Sequence, residues 1–192
     1  MTVAAPVLAT RLLGRSQIAS AAAVVAFTGL TALAAQFSFR IPPIEVPFTL
    51  QTGVVLLAGG VLGANRGSIS QVLYVFLGAI GLPVYAEASA GLDVITGATG
   101  GYLLGFVAAA WLVGRLAERR HDRQVVTGFG AFSLGSLVIY GFGVFGLMVN
   151  LDLSFGQAVA GGVVPFVFWD LLKALAAGVV LAGAWRVSGG RD

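Results

Sequence analysis

Two ionisable residues stand inside an apolar stretch near the end of the chain. Asp170 and Lys173 lie in the segment 165–173, where every other residue is apolar. A spacing of three residues places both side chains on one face of a helix. Each such charge costs about 2.5–3.5 kcal/mol near the centre of a bilayer. The two side chains either only neutralise each other, with Lys173 reaching toward an interface, or face a cavity and bind a solute. We favour the second interpretation, because intramembrane ionisable residues are functional by default.

The chemistry of this pair indicates binding rather than catalysis. A carboxylate only accepts hydrogen bonds and an ammonium only donates them, so the pair suits a ligand with both N–H groups and carbonyl or carboxylate oxygens. The chain has no Cys and a single His, His121, in a basic loop. We therefore predict no catalytic residues, no metal site and no cofactor. Lys173 is the only Lys, and no G-x-x-x-x-G-K-[ST] loop is present, so energy for transport must come from an ion gradient or a partner.

The composition identifies the elements that must carry the pair. The chain has 192 residues, of which 58% are hydrophobic and 10% charged, whereas about a quarter are charged in soluble domains. We predict an all-α membrane protein: a six-transmembrane-helix bundle with an extended outer loop between helices 1 and 2. The bundle forms a single domain, 16–186, between the terminal tails 1–15 and 187–192. The six predicted spans are 17–36, 48–64, 68–85, 101–117, 124–149 and 156–185.

Basic residues set the predicted orientation. Nine of the 11 basic residues fall on one side of a six-span arrangement: Arg11, Arg15, Arg66, Arg115, Arg119, Arg120, Arg123, Arg186 and Arg191. Because cytoplasmic loops collect basic residues, we predict a multi-pass plasma-membrane protein with both termini cytoplasmic. The topology in the lipid bilayer then explains the pI of about 9.8, and no nucleic acid is invoked. The first span also resembles a cleavable signal peptide, but its apolar run is longer than usual, so we expect it to be retained.

Two outer segments contain candidate ligand contacts. In the segment 37–52, the prolines Pro42, Pro43 and Pro47 oppose a helix, while the apolar residues around them suit packing onto the bundle as a lid or cavity wall. The segment 85–102 is long, and such loops are often functional.

Small residues of the second segment, such as Gly91, permit close approach of a ligand to the backbone. Tyr85 and Tyr102 bracket this segment, and both ligand contact and interfacial anchoring remain open for them.

Small residues form a stripe on the first predicted helix. Ala19, Ala22, Ala26 and Gly29 share one face, and small residues allow another helix to approach closely. The neighbouring helix belongs either to this bundle or to a partner protein. The pattern alone slightly favours internal packing.

Four sequence blocks together resemble one family. They are Val46-Pro47-Phe48-Thr49-Leu50-Gln51-Thr52, the run from Gly78 to Tyr85, the run from Gly97 to Phe106, and Asp170-x-x-Lys173. These blocks, in this order, resemble the signature of the BioY family, the biotin-specific membrane subunits (S components) of energy-coupling factor (ECF) transporters. The resemblance covers 16–184. One departure is Ala98, where the family often has Pro.

The resemblance implies biotin uptake with partner proteins. A six-helix bundle would capture biotin from outside and hand it across the membrane with a transmembrane coupling subunit (EcfT-like) and two ATPase subunits. Ala22 and Ala26 would face the coupling subunit, and Ala19 and Gly29 share their face.

The chemistry of biotin agrees with the candidate binding residues. Asp170 would accept a ureido N–H, and Lys173 would donate to the ureido oxygen or to the carboxylate. Thr49 and Gln51 would satisfy the remaining polar groups, and which group meets which end of biotin stays open. The predicted binding residues are Phe48, Thr49, Gln51, Tyr85, Gly91, Tyr102, Asp170 and Lys173, with the aromatic ones walling the apolar ring.

Three other functions stay open at this stage. The chain could be a stand-alone, ion-driven secondary transporter, although no internal repeat is evident. It could be an S component for another vitamin. It could also be an assembly factor without a ligand. A thermal-shift panel of vitamins would distinguish this possibility from binding of another vitamin.

Overall fold

Helices dominate the chain. The computed structural model describes residues 5–14, 16–42 and 45–189. The α-helices of these segments are α1 (Leu8–Leu13), α2 (Gln17–Gln36), α3 (Gln51–Leu62), α4 (Ala64–Ala79), α5 (Leu92–Ile95), α6 (Gly100–Ala117), α7 (Val125–Asn150), α8 (Phe155–Gly162) and α9 (Val167–Val187). Two short strands, β1 (Ser38–Phe39) and β2 (Phe48–Thr49), pair antiparallel between α2 and α3. The helical class of the prediction is confirmed.

Four of the described helices are long and apolar enough to cross a membrane, namely α2, α6, α7 and α9. The apolar helix α3 has 12 residues, and a helix of that length rises only about 18 Å, less than the roughly 30 Å of a hydrocarbon core. The helix α4 has 16 residues. The count of six spanning helices therefore stays a prediction.

The second and third predicted spans are shorter than expected. The helix α3 begins at Gln51 because the preceding residues pair as β2, and α4 ends at Ala79. Gly81 follows α4 with a φ of +103°, a conformation that glycine adopts without strain. Pro83 then prevents a helix from continuing. The chain thus leaves the helix six residues before the predicted boundary at Tyr85.

The last predicted span, 156–185, was wrong as a single helix. The helix α8 ends at Gly162 and α9 begins at Val167, with turns between them. Pro165 explains the break, because it has no N–H to donate and disfavours helical backbone at Val164. The break places Asp170 in the first turn of α9, where the helix dipole favours a carboxylate.

Close packing surrounds α6, which contacts α3, α4 and α7. A Cβ atom added at Gly101 of α6 would overlap the carbonyl oxygen of Phe142 on α7. A Cβ atom added at Gly59 of α3 would likewise overlap the carbonyl oxygen of Ala110 on α6. Glycine at these positions lets the backbones touch, as is common between membrane helices.

A buried polar cluster joins α2 to α4. The Thr28 hydroxyl donates to the Ser70 carbonyl oxygen at 2.9 Å, and Gln71 Nε2 donates to Thr31 Oγ1 at 3.3 Å. All four residues are buried. These contacts fix one face of α2 against the bundle and determine which face stays uncovered.

The two ends of the described chain lie at the same end of the bundle. The Ala5 N–H donates to the Glu118 carbonyl oxygen at 2.9 Å, and Arg11 Nε donates to the Ser188 carbonyl oxygen at 3.1 Å. Glu118 follows α6, so the loop after α6 lies at the same end. Arg15 and Arg191, which also entered the orientation prediction, lie outside the described residues.

Candidate ligand-binding site

The carboxylate of Asp170 lies at the meeting point of three helices. Its Oδ1 accepts hydrogen bonds from Thr52 Oγ1 of α3 at 2.8 Å and from Lys173 Nζ at 2.7 Å. Its Oδ2 accepts from the Tyr140 hydroxyl of α7 at 2.6 Å. Asp170 is only 4% exposed, and a buried carboxylate needs such donors because it has lost water. Asp170 and Lys173 thus form an ion pair, as their shared helix face allows.

Lys173 makes three hydrogen bonds to the protein. Besides Asp170 Oδ1, Nζ contacts the Thr49 carbonyl oxygen at 2.8 Å and Thr52 Oγ1 at 3.0 Å. An ammonium has three N–H donors, so these contacts use all of them. The Thr49 contact links the ion pair on α9 to the hairpin strand β2. The Lys173 side chain keeps 20% of its surface exposed, so a ligand can still reach it.

A cavity of about 620 Å³ opens beside this network. Its volume is within the range of small-molecule pockets. Six of the eight predicted binding residues line it: Thr49, Gln51, Tyr85, Tyr102, Asp170 and Lys173. Most of its wall is apolar, and the Asp170–Lys173 pair is a charged feature within it, which suits a ligand with an apolar body and a few polar groups.

Two predicted binding residues do not line the cavity. Phe48 is buried in an aromatic stack, with its ring 5.1 Å from that of Phe39 and 4.4 Å from that of Phe166. These contacts join β2 to β1 and to Phe166, the residue before α9. Gly91 precedes α5 with a φ of +94°, and its N–H donates to the Gly78 carbonyl oxygen at 2.8 Å. The conformation of the loop accounts for glycine at this position.

Tyr85 and Tyr102 contribute their rings to the cavity and their hydroxyl groups to the fold. The Tyr85 hydroxyl donates to the Val75 carbonyl oxygen at 2.5 Å. The Tyr102 hydroxyl donates to the Gly162 carbonyl oxygen at 2.7 Å. Both phenolic protons are therefore in use within the bundle, and the rings are left as apolar wall.

Sequence reasoning missed several polar residues of the site, among them Thr52, Tyr74 and Tyr140. All three line the cavity. Thr52 ends the block 46–52, next to Gln51, and its place in that block was an available signal. Tyr74 accepts a hydrogen bond from Gln51 Nε2 at 2.7 Å. A hydroxyl inside an apolar span was the signal for both tyrosines, but it does not tell which way the ring points.

The two outer segments form part of the cavity wall. The hairpin contributes Arg40 and Thr49, and the segment 85–102 contributes Asp93. Arg40 Nε also donates to Glu87 Oε1 at 2.8 Å, which joins the two segments.

Val46 and Phe48 are buried, whereas the apolar residues Phe37, Phe39, Ile41 and Leu50 are exposed. Packing of the whole segment 37–52 onto the bundle therefore stays a prediction. Pro43 and Ile44 lie outside the described residues.

The small-residue stripe of α2 faces away from the bundle. Ala22, Ala26 and Gly29 are exposed, and Ala19 is half-buried. The buried residues of α2 lie on another face and include Thr28 and Thr31. The slight preference for internal packing was therefore wrong, and this face is uncovered in the isolated chain.

Apolar helices around a partly polar cavity define a helical membrane protein that can hold a small solute. A family model described as "BioY family" matches residues 7–190. The biotin transporter BioY of Thermotoga maritima is 40% identical over 154 residues, covering 80% of this chain and 88% of that protein. A probable biotin transporter BioY of Pyrococcus horikoshii is 39% identical over 157 residues, covering 82% of this chain and 90% of that protein. The chain belongs to the BioY family.

A solved structure has the same fold. The crystal structure of the S component for biotin from an ECF-type ABC transporter aligns with a TM-score of 0.82. The alignment covers 90% of this chain and 94% of the other, at 22% sequence identity. At that identity the likeness concerns the fold. It supports the overall helical architecture described above.

Proposed function

We propose that this chain is the biotin-binding subunit (S component) of an ECF transporter and takes part in biotin uptake. Membership of the BioY family and the names of the relatives support this function. The structural observation that carries the proposal is the cavity of about 620 Å³ with the buried Asp170–Lys173 pair in its wall. A buried ion pair is costly, and a ligand that uses its polar groups gives a reason for its presence beside a cavity.

The cavity suits the chemistry of biotin. The ureido ring of biotin has two N–H donors and one carbonyl oxygen, the thioether ring is apolar, and the tail ends in a carboxylate. Asp170 would accept a ureido N–H, and Lys173 would offer its positive charge to an oxygen of the ligand. The rings of Tyr85 and Tyr102 would cover the apolar part, while Thr49 and Gln51 would serve the remaining polar groups.

The proposed topology has six membrane-spanning segments and both termini in the cytoplasm. In it, α3 and α4 serve as two short spans and α8 joins α9 as the last. The distribution of arginine supports this orientation in the plasma membrane. The hairpin and the segment 85–102 would then face outward, so that biotin enters the cavity from outside.

The exposed stripe of α2 would bind the coupling subunit. Such a face permits close helix contact, and the full transporter would contain an EcfT-like coupling subunit and two ATPases. Ala22→Trp with Ala26→Trp should abolish assembly with these partners while leaving biotin binding intact. Ala21→Trp provides a matched control, because Ala21 is also exposed but lies on a different face of the helix.

Biotin binding is tested with the purified chain in detergent. Titration calorimetry should detect binding, and biotin should raise the unfolding temperature, because a ligand that binds the folded state stabilises it. A panel of other vitamins provides the comparison. A shift with a different vitamin would assign the subunit to that vitamin, and no shift with any of them would contradict the proposal.

Transport is tested in liposomes. We expect ATP-dependent uptake only when the coupling subunit and ATPases are reconstituted with this chain. Uptake by the chain alone, abolished when the ion gradient is collapsed, would instead identify a stand-alone secondary transporter.

A further inference from the structure

The hydrogen bonds around Asp170 leave one of its oxygens available to a ligand. A carboxylate oxygen has about two lone-pair positions. Oδ1 accepts from both Thr52 and Lys173, so its positions are filled. Oδ2 accepts only from Tyr140 within the described residues. An N–H group of a ligand therefore finds its acceptor at Oδ2, next to the Tyr140 hydroxyl.

The position of Tyr140 suits a role in ligand selection. Tyr140 lines the cavity together with Asp170 and is only 8% exposed. Its hydroxyl lies 2.6 Å from Oδ2, so it holds that oxygen in a fixed place. The tyrosine oxygen keeps an unused lone pair, since a phenolic hydroxyl both donates and accepts. Both atoms thus keep an unused acceptor position, and both residues line the cavity.

Lys173 does not offer an equivalent open position. Its three N–H donors contact Thr49, Thr52 and Asp170. A ligand oxygen that binds Lys173 must replace one of these contacts, whereas an N–H group that binds Oδ2 replaces none. The hydrogen bonds around Asp170 and Lys173 therefore favour a ligand N–H donor at Oδ2 over a ligand oxygen at Lys173.

We propose that Tyr140 is a specificity-determining residue of the site, which positions Asp170 Oδ2 to accept an N–H group of the ligand. This inference rests on the proposed function, and the ureido N–H groups of biotin are the donors in question. Without the tyrosine hydroxyl, the carboxylate loses its fixed orientation, and Oδ2 can take water instead of the ligand. The site would then lose its preference for a ligand with a free N–H.

The experiment compares biotin with two analogues, each methylated on one ureido nitrogen, by titration calorimetry. The unaltered protein should bind at least one methylated analogue about 10- to 100-fold more weakly than biotin, as expected for a lost hydrogen bond to a charged acceptor. Tyr140→Phe should weaken biotin binding by a similar factor. It should also bring the ratio between biotin and that analogue close to one.

Thr52→Val is the matched comparison, because it removes a hydroxyl that contacts the other oxygen, Oδ1. Whatever its affinity for biotin, the ratio between biotin and the analogue should stay as in the unaltered protein. A ratio that Tyr140→Phe leaves unchanged would overturn the inference.

Binding of biotin and the two methylated analogues to the unaltered protein tests the inference even when Tyr140→Phe does not fold. Equal binding of biotin and both methylated analogues by the unaltered protein would overturn the inference without any variant. Failure of the unaltered protein to bind biotin at all would instead overturn the proposed function, so the two failures are distinguishable.

Discussion

Two carboxylates are buried near opposite ends of α9, and their surroundings differ. Asp170, in the first turn, takes hydrogen bonds from Thr52, Tyr140 and Lys173 and lines the cavity. Asp122, in the loop between α6 and α7, accepts a hydrogen bond at Oδ2 from Trp185 Nε1, near the end of α9. Its Oδ1 has no hydrogen-bond partner in the described part of the chain. Asp122 is 3% exposed and Asp170 is 4% exposed, so burial does not distinguish them.

The difference lies in the lysine and in the cavity. Asp170 has a lysine on its own helix and space beside it for a ligand. Asp122 instead connects the α6–α7 loop to α9, with Arg123 packed 4.5 Å from the Trp185 ring centroid. We therefore propose a binding role for Asp170, which borders the cavity, and a structural role for Asp122, which joins two elements. The following four predictions test this distinction.

The largest effect is expected from Asp170→Asn, compared with Asp122→Asn. Both changes remove a charge and keep the size of the side chain. Asp170→Asn leaves Lys173 without its anionic partner and replaces a strong acceptor, so biotin affinity should fall about 100-fold or more. Asp122→Asn should change the affinity by less than about threefold. Titration calorimetry measures both, and a comparable loss in the two variants would contradict the distinction.

Lys173→Met should produce the next largest effect. The change removes the donor of three hydrogen bonds, including one to Asp170, and should weaken biotin binding about 10- to 100-fold. Because those donors are already used by the protein, we expect equal losses for biotin and for its uncharged methyl ester. A much greater loss for biotin would place the ligand carboxylate at Lys173.

The sequence predicted the parts of the site that depend on local spacing. Asp170 and Lys173 pair because residues three apart share a helix face, and no knowledge of other helices is needed. The contacts of Tyr140 and Thr52 depend on how α7 and α3 cross α9, which no single segment encodes. The break at Pro165 had a local signal, but the apolar run on both sides of it suggested one continuous span.

The burial of Asp122 also could not be predicted from the sequence. Asp122 stands in a basic loop, and this composition predicts a solvated residue. The fold instead turns the loop against Trp185. Such a tertiary contact between distant segments cannot be inferred from the loop itself.

A third prediction concerns stability, and Trp185→Phe tests it. The change keeps an aromatic ring and removes the N–H that donates to Asp122, so a buried carboxylate loses its side-chain donor. The expected cost is about 1–3 kcal/mol in the free energy of unfolding, with biotin affinity unchanged. Thermal unfolding in detergent, with and without biotin, measures both quantities. A loss of affinity without a loss of stability would show that this end of α9 acts on the cavity.

The smallest effect is a pH dependence of stability that arises from Asp122. Desolvation by burial is the main cause that raises the pKa of Asp122 above its ordinary value of 3.8, while the hydrogen bond from Trp185 and the nearby charges of Arg123 and His121 act in the opposite direction. Between 3.8 and the raised pKa, the folded state binds more protons than the unfolded state, so stability falls as pH rises through this interval.

The neutral side chain of Asp122→Asn lacks this contribution, and groups that titrate in both proteins cancel in their difference. We therefore expect the unfolding temperature of the unaltered protein, relative to Asp122→Asn, to be highest below the ordinary aspartate pKa and to decrease as pH rises. A difference that grows with pH would mean that the folded state stabilises the charged form of Asp122, and the loop would then hold a paired carboxylate as α9 does at Asp170.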